Sequence, residues 1–298
     1  MIRLVPLMCL LACTRTAGSF SLEDGTEISV GDDGSIALVI DGAQTFALSD
    51  RPPQVRTFAE SSEGPFAIWS FERDDERRVP LNLDRVRHDG EQVLVDYVSA
   101  GSRTATLAIE ATDAGTRFTF AVEGDEADSI AIPVRCDEGG SFHGFGEQYS
   151  TTNLKGESFR LLLEEQGVGR QEDGFRPVSG DRFTTYFPMP WWLDMRGHGV
   201  LFETAHRVET DLCSTDSEVA WIEVVDGSPV SWTVFHGPTP LDVIRQLGDV
   251  VGRPKLPPAW AWGTWICTQG GEEAVRAQAD FLEPVSYTHL TLPTILRV

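Results

Sequence analysis

The chain has 298 residues, and its 46 acidic side chains outnumber the 24 lysines and arginines to give a formal charge of −22. A nucleic-acid-binding protein needs a basic surface to neutralise phosphates, so this balance argues against that class. Hydrophobic residues make up 41% of the chain and include eight tryptophans. This composition supplies enough apolar surface for a folded core, which excludes a disordered polypeptide.

The N-terminus is typical of an export signal. Arg3 precedes an apolar run at residues 4–12, which is far shorter than the roughly 20 residues that span a bilayer. The run ends in Leu-Leu-Ala-Cys, which resembles the bacterial lipobox, with Cys13 as the lipidated residue. We therefore expect residues 1–18 to be a lipoprotein-type signal peptide and the protein to be exported, either periplasmic or lipid-anchored at the outer membrane. Ordinary secretion is the alternative.

Short apolar or alternating runs separated by turn residues follow from residue 27 to residue 134 and predict a series of β-strands. Asp41-Gly42 joins two of these runs and predicts a hairpin, because this pair readily adopts the positive φ of a tight turn. Turns are also predicted at 113–115 and at Asp226-Gly227. The clearest strands are predicted at 36–40, 44–48, 92–98, 104–109, 117–122, 199–203, 207–212, 220–225 and 230–235. Strands in series favour a β-sandwich or barrel over βαβ units.

The first clear helix is predicted at Pro240–Val251. Thr239 can cap it, proline suits its first position, and Gly252 can end it. A proline-rich linker follows. Beyond the linker, a buried strand at 262–267 and a helix at 272–282 predict one βα unit.

Cysteine and histidine spacing predicts neither a metal site nor a catalytic triad. After processing, Cys136, Cys213 and Cys267 remain besides Cys13, an odd set without C-x-x-C spacing. We expect buried thiols and leave one disulfide pair open. His143, His198 and His206 have no suitable mutual spacing. The tryptophans at 191, 192, 260, 262 and 265 are predicted to pack rather than to stack on sugars.

Five motifs occur in one order over about half of the chain. They are 144–148 (GFGEQ) with 153–156 (NLKG), 165–170 (EQGVGR), 186–190 (YFPMP) with 196–201 (RGHGVL), 252–261 (GRPKLPPAWA), and 269–271 (QGG). Together they resemble glycoside hydrolase family 31, the α-glucosidase and α-xylosidase family. The motifs at 165–170 and 269–271 are similar to its sulfoquinovosidase-like branch. Residues 27–135 match only as a strand-rich region.

The resemblance implies a mainly β fold: a galactose-mutarotase-like β-sandwich at 19–252, then the linker and first βα unit of a truncated (β/α)8 barrel at 253–284. It also implies retaining hydrolysis of α-glycosides by two aspartates, without a cofactor. In the family both aspartates come from later barrel strands. Far fewer than the roughly 250 residues of a barrel follow Leu256, so we assign no catalytic residue and expect an inactive fragment of an exported enzyme.

Three residues are candidate contacts to a carbohydrate substrate. Gln269 follows the first barrel strand, at the face where such barrels build active sites, and its amide could bond a sugar hydroxyl or merely cap a loop. Gln166 and Arg170 belong to a loop expected to reach the pocket mouth. Arg170 would supply a cation for a hydroxyl or an anionic substituent, or a salt bridge that locks the loop.

Glu147, Glu164 and Glu165 match neither catalytic aspartate. Whether the substrate is sulfonated stays open, as does the oligomeric state.

Two other functions compete with the glycosidase. A free-standing carbohydrate-binding lipoprotein would need the sandwich alone to hold a concave aromatic site. An aldose epimerase shares the sandwich architecture, but no motif supplies its acid–base residues.

The last segment, residues 285–298, differs in composition from the rest of the chain because it has no acidic residue, glycine or alanine. Residues 285–294 fit the translated codons of a transposon-end adapter used in short-read sequencing libraries. We therefore expect the native sequence to stop near Pro284, with a genuine polar tail as the alternative.

Overall fold

The computed structural model describes residues 17–64, 67–124, 127–167, 180–263, 268 and 270–286. Contacts divide the chain into two compact units, Met1–Val251 and Gly252–Val298. The predicted signal peptide with Cys13 lies outside the described residues apart from its last two positions, and so does most of the segment at 285–298.

The first unit is built almost entirely from strands. They are β1 (Gly18–Ser21), β2 (Glu27–Val30), β3 (Ile36–Ile40), β4 (Ala43–Leu48), β5 (Gln54–Glu63), β6 (Ser70–Pro80), β7 (Asn82–His88), β8 (Gln92–Val98), β9 (Thr104–Thr112), β10 (Gly115–Val122), β11 (Ser129–Arg135), β12 (His143–Gly146), β13 (Ser158–Leu161), β14 (Pro188–Asp194), β15 (His198–Phe202), β16 (Val208–Asp216), β17 (Val219–Val225) and β18 (Val230–His236), followed by helix α1 (Pro240–Val251).

The strands form two sheets. The first has the order β1-β2-β3-β4-β11-β17-β16-β13, with β5 paired to β11 and to β6. The second has the order β12-β14-β15-β18-β10-β9-β8-β7. The ladders are antiparallel throughout the described strands. The predicted mainly β fold is therefore confirmed.

The two Asp-Gly turns predicted from the sequence connect strands in different ways. Asp41 and Gly42 adopt φ values of 52° and 76° between β3 and β4, which confirms the predicted hairpin. Asp226 also has a positive φ, of 57°. The turn that follows β17 does not form a hairpin, however, because β17 pairs with β11 and β16 in the first sheet while β18 pairs with β10 and β15 in the second.

Alternating inward side chains build the main core. Phe118 on β10 stacks on Trp232 of β18 with ring centroids 5.2 Å apart, and Trp232 stacks on Phe202 of β15 at 5.3 Å. All three side chains are almost completely buried. Each large apolar side chain removed from water contributes about 1.5–3 kcal/mol to folding. Trp192 joins the same core, which confirms its predicted packing role.

Helix α1 begins and ends at the predicted residues. The Thr239 hydroxyl accepts a hydrogen bond from the backbone N–H of Asp242 (3.3 Å), as expected of an N-cap. The helix buries Val243 and Leu247 in a smaller apolar cluster that includes Trp191. This cluster confirms the packing role predicted for Trp191.

A disulfide between Cys136 and Cys213 links residues that are 77 positions apart in the sequence. It identifies the one disulfide pair that the number and spacing of the cysteines left open. Cys267 lies outside the described residues.

The second unit contains a 3-10 turn at Ala259–Trp262 and helix α2 at Gly271–Ser286. The predicted helix is confirmed, with four more residues at its C-terminal end. The predicted strand is wrong at Trp262, which lies in the 3-10 turn and is exposed. Local bonds satisfy the backbone there, because the N–H groups of Ala261 and Gly263 reach carbonyl groups three residues earlier. Residues 264–267 lie outside the described part.

Within the described part of the chain, no helix combines the length and the apolar character that a membrane crossing requires.

Candidate functional site

The GFGEQ motif shapes one edge of the second sheet. Gly144, Phe145 and Gly146 on β12 all have positive φ, between 64° and 130°. A β-carbon on Gly146 would lie 1.9 Å from the carbonyl oxygen of Phe187, so a side chain cannot occupy this position. The backbone N–H of Glu147 then donates to that same carbonyl (2.9 Å). The backbone conformation of this motif therefore places Glu147 beside the segment at 185–187.

The NLKG motif braces this edge from the other side. The Asn153 carboxamide oxygen accepts the N–H of Phe142 (3.0 Å) and that of Lys155 (3.2 Å). The Lys155 ammonium donates to the carbonyl oxygens of Asp137 (2.5 Å) and Glu138 (3.1 Å). The role of this motif is thus structural, because each of these bonds joins a side chain to a backbone group.

A buried carboxylate anchors the loop at 163–167. Glu164 is 1% exposed and accepts the backbone N–H of Trp69 (3.0 Å) and the Nε–H of Arg160 (2.9 Å). The same guanidinium also donates to the carbonyl oxygen of Trp69 (2.5 Å). A buried charge is stable only when paired and hydrogen-bonded, as it is here. Glu164 therefore holds the loop in place.

The anchored loop presents a group of polar and aromatic side chains, which we call the loop cluster: Glu147, Tyr149, Glu165, Gln166 and Tyr186. The Tyr149 hydroxyl donates to the Gln166 carboxamide oxygen (2.9 Å), and the Tyr186 hydroxyl donates to the Glu165 carboxylate (2.5 Å). Two partially exposed tyrosines thus flank the loop, 37% and 47% exposed respectively.

The carboxylates of Glu147 and Glu165 change the pKa values of these tyrosines. Hydrogen bonding to Glu147 raises the pKa of Tyr149, and hydrogen bonding to Glu165 raises the pKa of Tyr186. A neutral phenol carries one proton, so Tyr149 can donate to either Glu147 or Gln166 at one time. Tyr149 therefore lies within reach of both a carboxylate and a carboxamide.

This arrangement suits a hydroxyl-rich ligand. Carboxylates and a carboxamide accept and donate hydrogen bonds in fixed positions, and the adjacent Phe187, 62% exposed, offers an apolar surface. Binding sites for small molecules commonly combine aromatic walls with a few convergent polar groups. No group of three His, Cys, Asp or Glu side chains that could hold a metal is found among the residues described.

Of the three predicted substrate contacts, the structure describes only Gln166, which lies in the loop cluster. Arg170 and Gln269 lie outside the described residues, as does Cys13. Sequence reasoning missed Tyr149 and Tyr186 as neighbours of Gln166. Both lie within or beside quoted motifs, but their convergence depends on the β12 backbone and on the loop that Glu164 anchors.

No family model matches the chain. An α-glucosidase ("Alpha-glucosidase 2") from Bacillus thermoamyloliquefaciens is 29% identical over 130 residues, which cover 43% of this chain and 15% of that protein. The α-xylosidase XylQ from Lactiplantibacillus pentosus is 25% identical over 126 residues, covering 42% and 15%. A sulfoquinovosidase from Escherichia coli K12 is 27% identical over 199 residues, covering 63% and 29%.

Among solved structures, a family 31 sulfoquinovosidase from E. rectale, in complex with an aza-sugar inhibitor, has a TM-score of 0.71. It shares 20% identity, and the alignment covers 85% of this chain and 38% of that protein, so this likeness concerns the fold. The chain spans between 15% and 29% of the three curated relatives described above. The sequence matches confirm the predicted resemblance to glycoside hydrolase family 31 enzymes, and the solved structure shows that the fold is shared.

Proposed function

We propose that the chain is the N-terminal part of an exported retaining α-glycosidase that hydrolyses terminal α-linked sugars. The observation that carries the proposal is the 29% identity over 130 residues to an α-glucosidase, supported by the match to an α-xylosidase. Two aspartates of a catalytic barrel would perform the hydrolysis, one attacking the anomeric carbon and the other protonating the leaving oxygen. The described residues supply binding rather than bond cleavage.

The loop cluster gives this region its part in the reaction. The Gln166 amide would hydrogen-bond a sugar hydroxyl, and Tyr149 would hold that amide in one orientation. Holding a binding group in its working geometry reduces the entropy lost on binding. Gln269 and Arg170 remain predicted contacts of the same pocket.

The charge of the loop cluster affects which sugars it can bind, neutral or sulfonated. Its two carboxylates and two tyrosines are neutral or negative, so they favour a neutral sugar over a sulfonated one. Arg170 is the residue that would reverse this preference. The described residues of the loop cluster therefore favour a neutral sugar, and the predicted Arg170 contact would favour an anionic substituent.

The disulfide bond supports the proposed export. The Cys136–Cys213 disulfide is of the kind that persists in oxidising compartments such as the bacterial periplasm. Together with the lipobox-like sequence at Cys13, it favours an exported lipoprotein that holds the enzyme at the outer membrane or in the periplasm.

The second candidate is a free-standing carbohydrate-binding lipoprotein, because the loop cluster alone offers a polar and aromatic surface. Exposed apolar side chains argue against it. Leu241 and Ile244, three residues apart on α1, are 70% and 46% exposed. Large exposed apolar residues grouped on one domain are typical of surfaces that another part of a protein covers.

The experiment that separates the two candidates begins with the source DNA from the codon of Gly271 onward. An open frame encoding a barrel would be expressed and assayed with 4-nitrophenyl α-glucoside, with the anomeric form of the first product read by NMR. Hydrolysis with retention supports the enzyme. A natural stop near Val298, with sugar binding and no hydrolysis, supports the binding protein.

A further inference from the structure

A second cleft, of about 340 Å³, lies at the edge of the first sheet, where β13 is the last strand. We call it the edge cleft. Its lining includes Ser158 and Arg160 on β13, Glu209 on β16 and the segment at 181–184. Its volume falls within the roughly 300–1,000 Å³ of small-molecule sites. Among the described residues, the edge cleft and the loop cluster share no side chain.

Glu209 offers an acceptor to this cleft. One carboxylate oxygen lies 2.9 Å from Nε of Arg207, while the side chain remains 30% exposed. The other oxygen has no hydrogen-bond donor among the described residues. Burial raises the pKa of Glu209 even though Arg207 and Arg160 oppose the shift. A carboxyl group with this environment in a cleft is a candidate for ligand contact.

Arg182, which also lines the cleft, offers hydrogen-bond donors. Its guanidinium lies 4.4 Å above the ring of Phe183 and donates to Glu157 (2.7 Å). Phe183 in turn stacks on Phe159 with ring centroids 5.0 Å apart. Arg182 is therefore held in one orientation, and the remaining N–H groups of its planar fork are directed at fixed positions. The exposed hydroxyl of Ser158 adds a group that can donate and accept.

The balance of charge narrows the ligand class. The carboxylates of Glu164, Asp181 and Glu209 outnumber the guanidinium groups of Arg160 and Arg182 on the described lining. This excess disfavours an anion. Donors and acceptors side by side instead match the vicinal hydroxyls of a neutral polyol.

We propose that the edge cleft binds one unit of a neutral saccharide, as a second sugar site separate from the loop cluster. The proposal rests on the proposed function, in that the natural ligand is a carbohydrate. Glu209 accepts from one or two hydroxyls, and Arg182 donates to a third. Such a site would hold a longer glycan against the β domain while its end is processed elsewhere.

The test is calorimetric titration of the 298-residue chain with maltotriose and with methyl α-glucoside. The background variant Tyr149→Phe/Gln166→Ala removes the Tyr149 hydroxyl and the Gln166 amide, the loop-cluster groups to which the proposed function assigns sugar binding. Glu209→Ala and Arg182→Met are then added separately. Glu110→Ala, exposed on β9, and Arg51→Met, on the surface near Asp216, are matched controls. Thermal unfolding checks that each variant folds.

We expect maltotriose binding to persist in the background variant, to weaken at least tenfold with either edge-cleft substitution, and to be unchanged by the two controls. If Glu209→Ala does not fold, Arg182→Met still tests whether the edge cleft binds the sugar. Binding that the background variant abolishes would overturn the edge cleft and leave the proposed function intact. The absence of binding in every protein would also overturn it, whereas hydrolysis by the longer reading frame tests the proposed function independently.

Discussion

A β-carbon on Gly167 would lie 1.5 Å from the carbonyl oxygen of Asp181, so the chain segments on either side of residues 168–179 meet backbone to backbone. The contact is reinforced by a parallel bridge between Leu163 and Thr185. Gln166 is next to this contact. The position of a predicted substrate contact therefore depends on the absence of a side chain at its neighbour.

Substituting Gly167→Ala tests this dependence. The added methyl group meets backbone atoms that cannot rotate away, so we expect a loss of about 1–3 kcal/mol in the free energy of unfolding. Chemical denaturation measures it. Gly139→Ala is the control, because its β-carbon would meet no atom within 4 Å. Equal stability of the two variants would contradict the close contact.

The Tyr149–Gln166 hydrogen bond predicts an effect on substrate binding. In the longer enzyme, Tyr149→Phe removes the hydroxyl that orients the Gln166 amide, at a cost of about 0.5–1.5 kcal/mol. We expect KM for an α-glycoside to rise by several-fold with kcat nearly unchanged. Tyr186→Phe leaves the Gln166 contact intact and is the matched variant. An equal rise in both variants would argue against a specific role for Gln166.

His198 predicts a loss of stability in acid. It is 4% exposed, and burial lowers its pKa from 6.5 to about 4, although the nearby Asp194 carboxylate opposes this shift. Between pH 6.5 and 4 the unfolded chain therefore binds a proton that the folded chain excludes, so stability falls as the pH decreases through this window. The shift corresponds to about 3 kcal/mol.

Urea unfolding of the wild-type chain and of His198→Gln at pH 7 and pH 4.5 measures this contribution. The wild type is expected to lose more stability on acidification than the variant, because glutamine does not titrate. His206→Gln, at an exposed position, is the control. Parallel losses in wild type and His198→Gln would refute the assignment.

The disulfide predicts a redox-dependent stability. The cross-link encloses a long loop, since Cys136 and Cys213 are 77 positions apart, and constraining such a loop in the unfolded chain is worth about 4 kcal/mol. Dithiothreitol should therefore lower the Tm of the wild type. The Cys136→Ala/Cys213→Ala variant should have a low Tm that the reductant does not change. A wild-type Tm that is insensitive to reduction would show that the bond does not stabilise the protein.

Local chemistry was enough to predict the turns and the helix. Asp41-Gly42 and the Thr239 cap act on backbone atoms within a few residues, and both occur as expected. Strand β6 was not predictable in this way, since its sequence, SFERDDERRVP, is dominated by charge. Arg73 on this strand pairs with the buried Glu223 on β17 (2.8 Å), at a separation of 150 residues. A single sequence does not show such a partner.

The candidate site was predictable only in part for the same reason. The motif around Gln166 indicated a binding loop, but the Glu164 anchor depends on the backbone of Trp69, which is 95 residues away. Arg160, four residues before Glu164, was the one local signal of that ion pair. The position of the loop cluster therefore follows from tertiary contacts rather than from sequence spacing.

The passage of the chain from β17 in one sheet to β18 in the other has a consequence for folding. Each of these strands lies inside its sheet and pairs with at least one strand that is distant in the sequence, β17 with β11 and β18 with β10. Neither sheet can therefore be completed from a continuous stretch of chain, and most loop-closure entropy is lost before the pairings can form. We expect slow folding and a single cooperative transition for the β domain, with no stage at which one sheet stands alone.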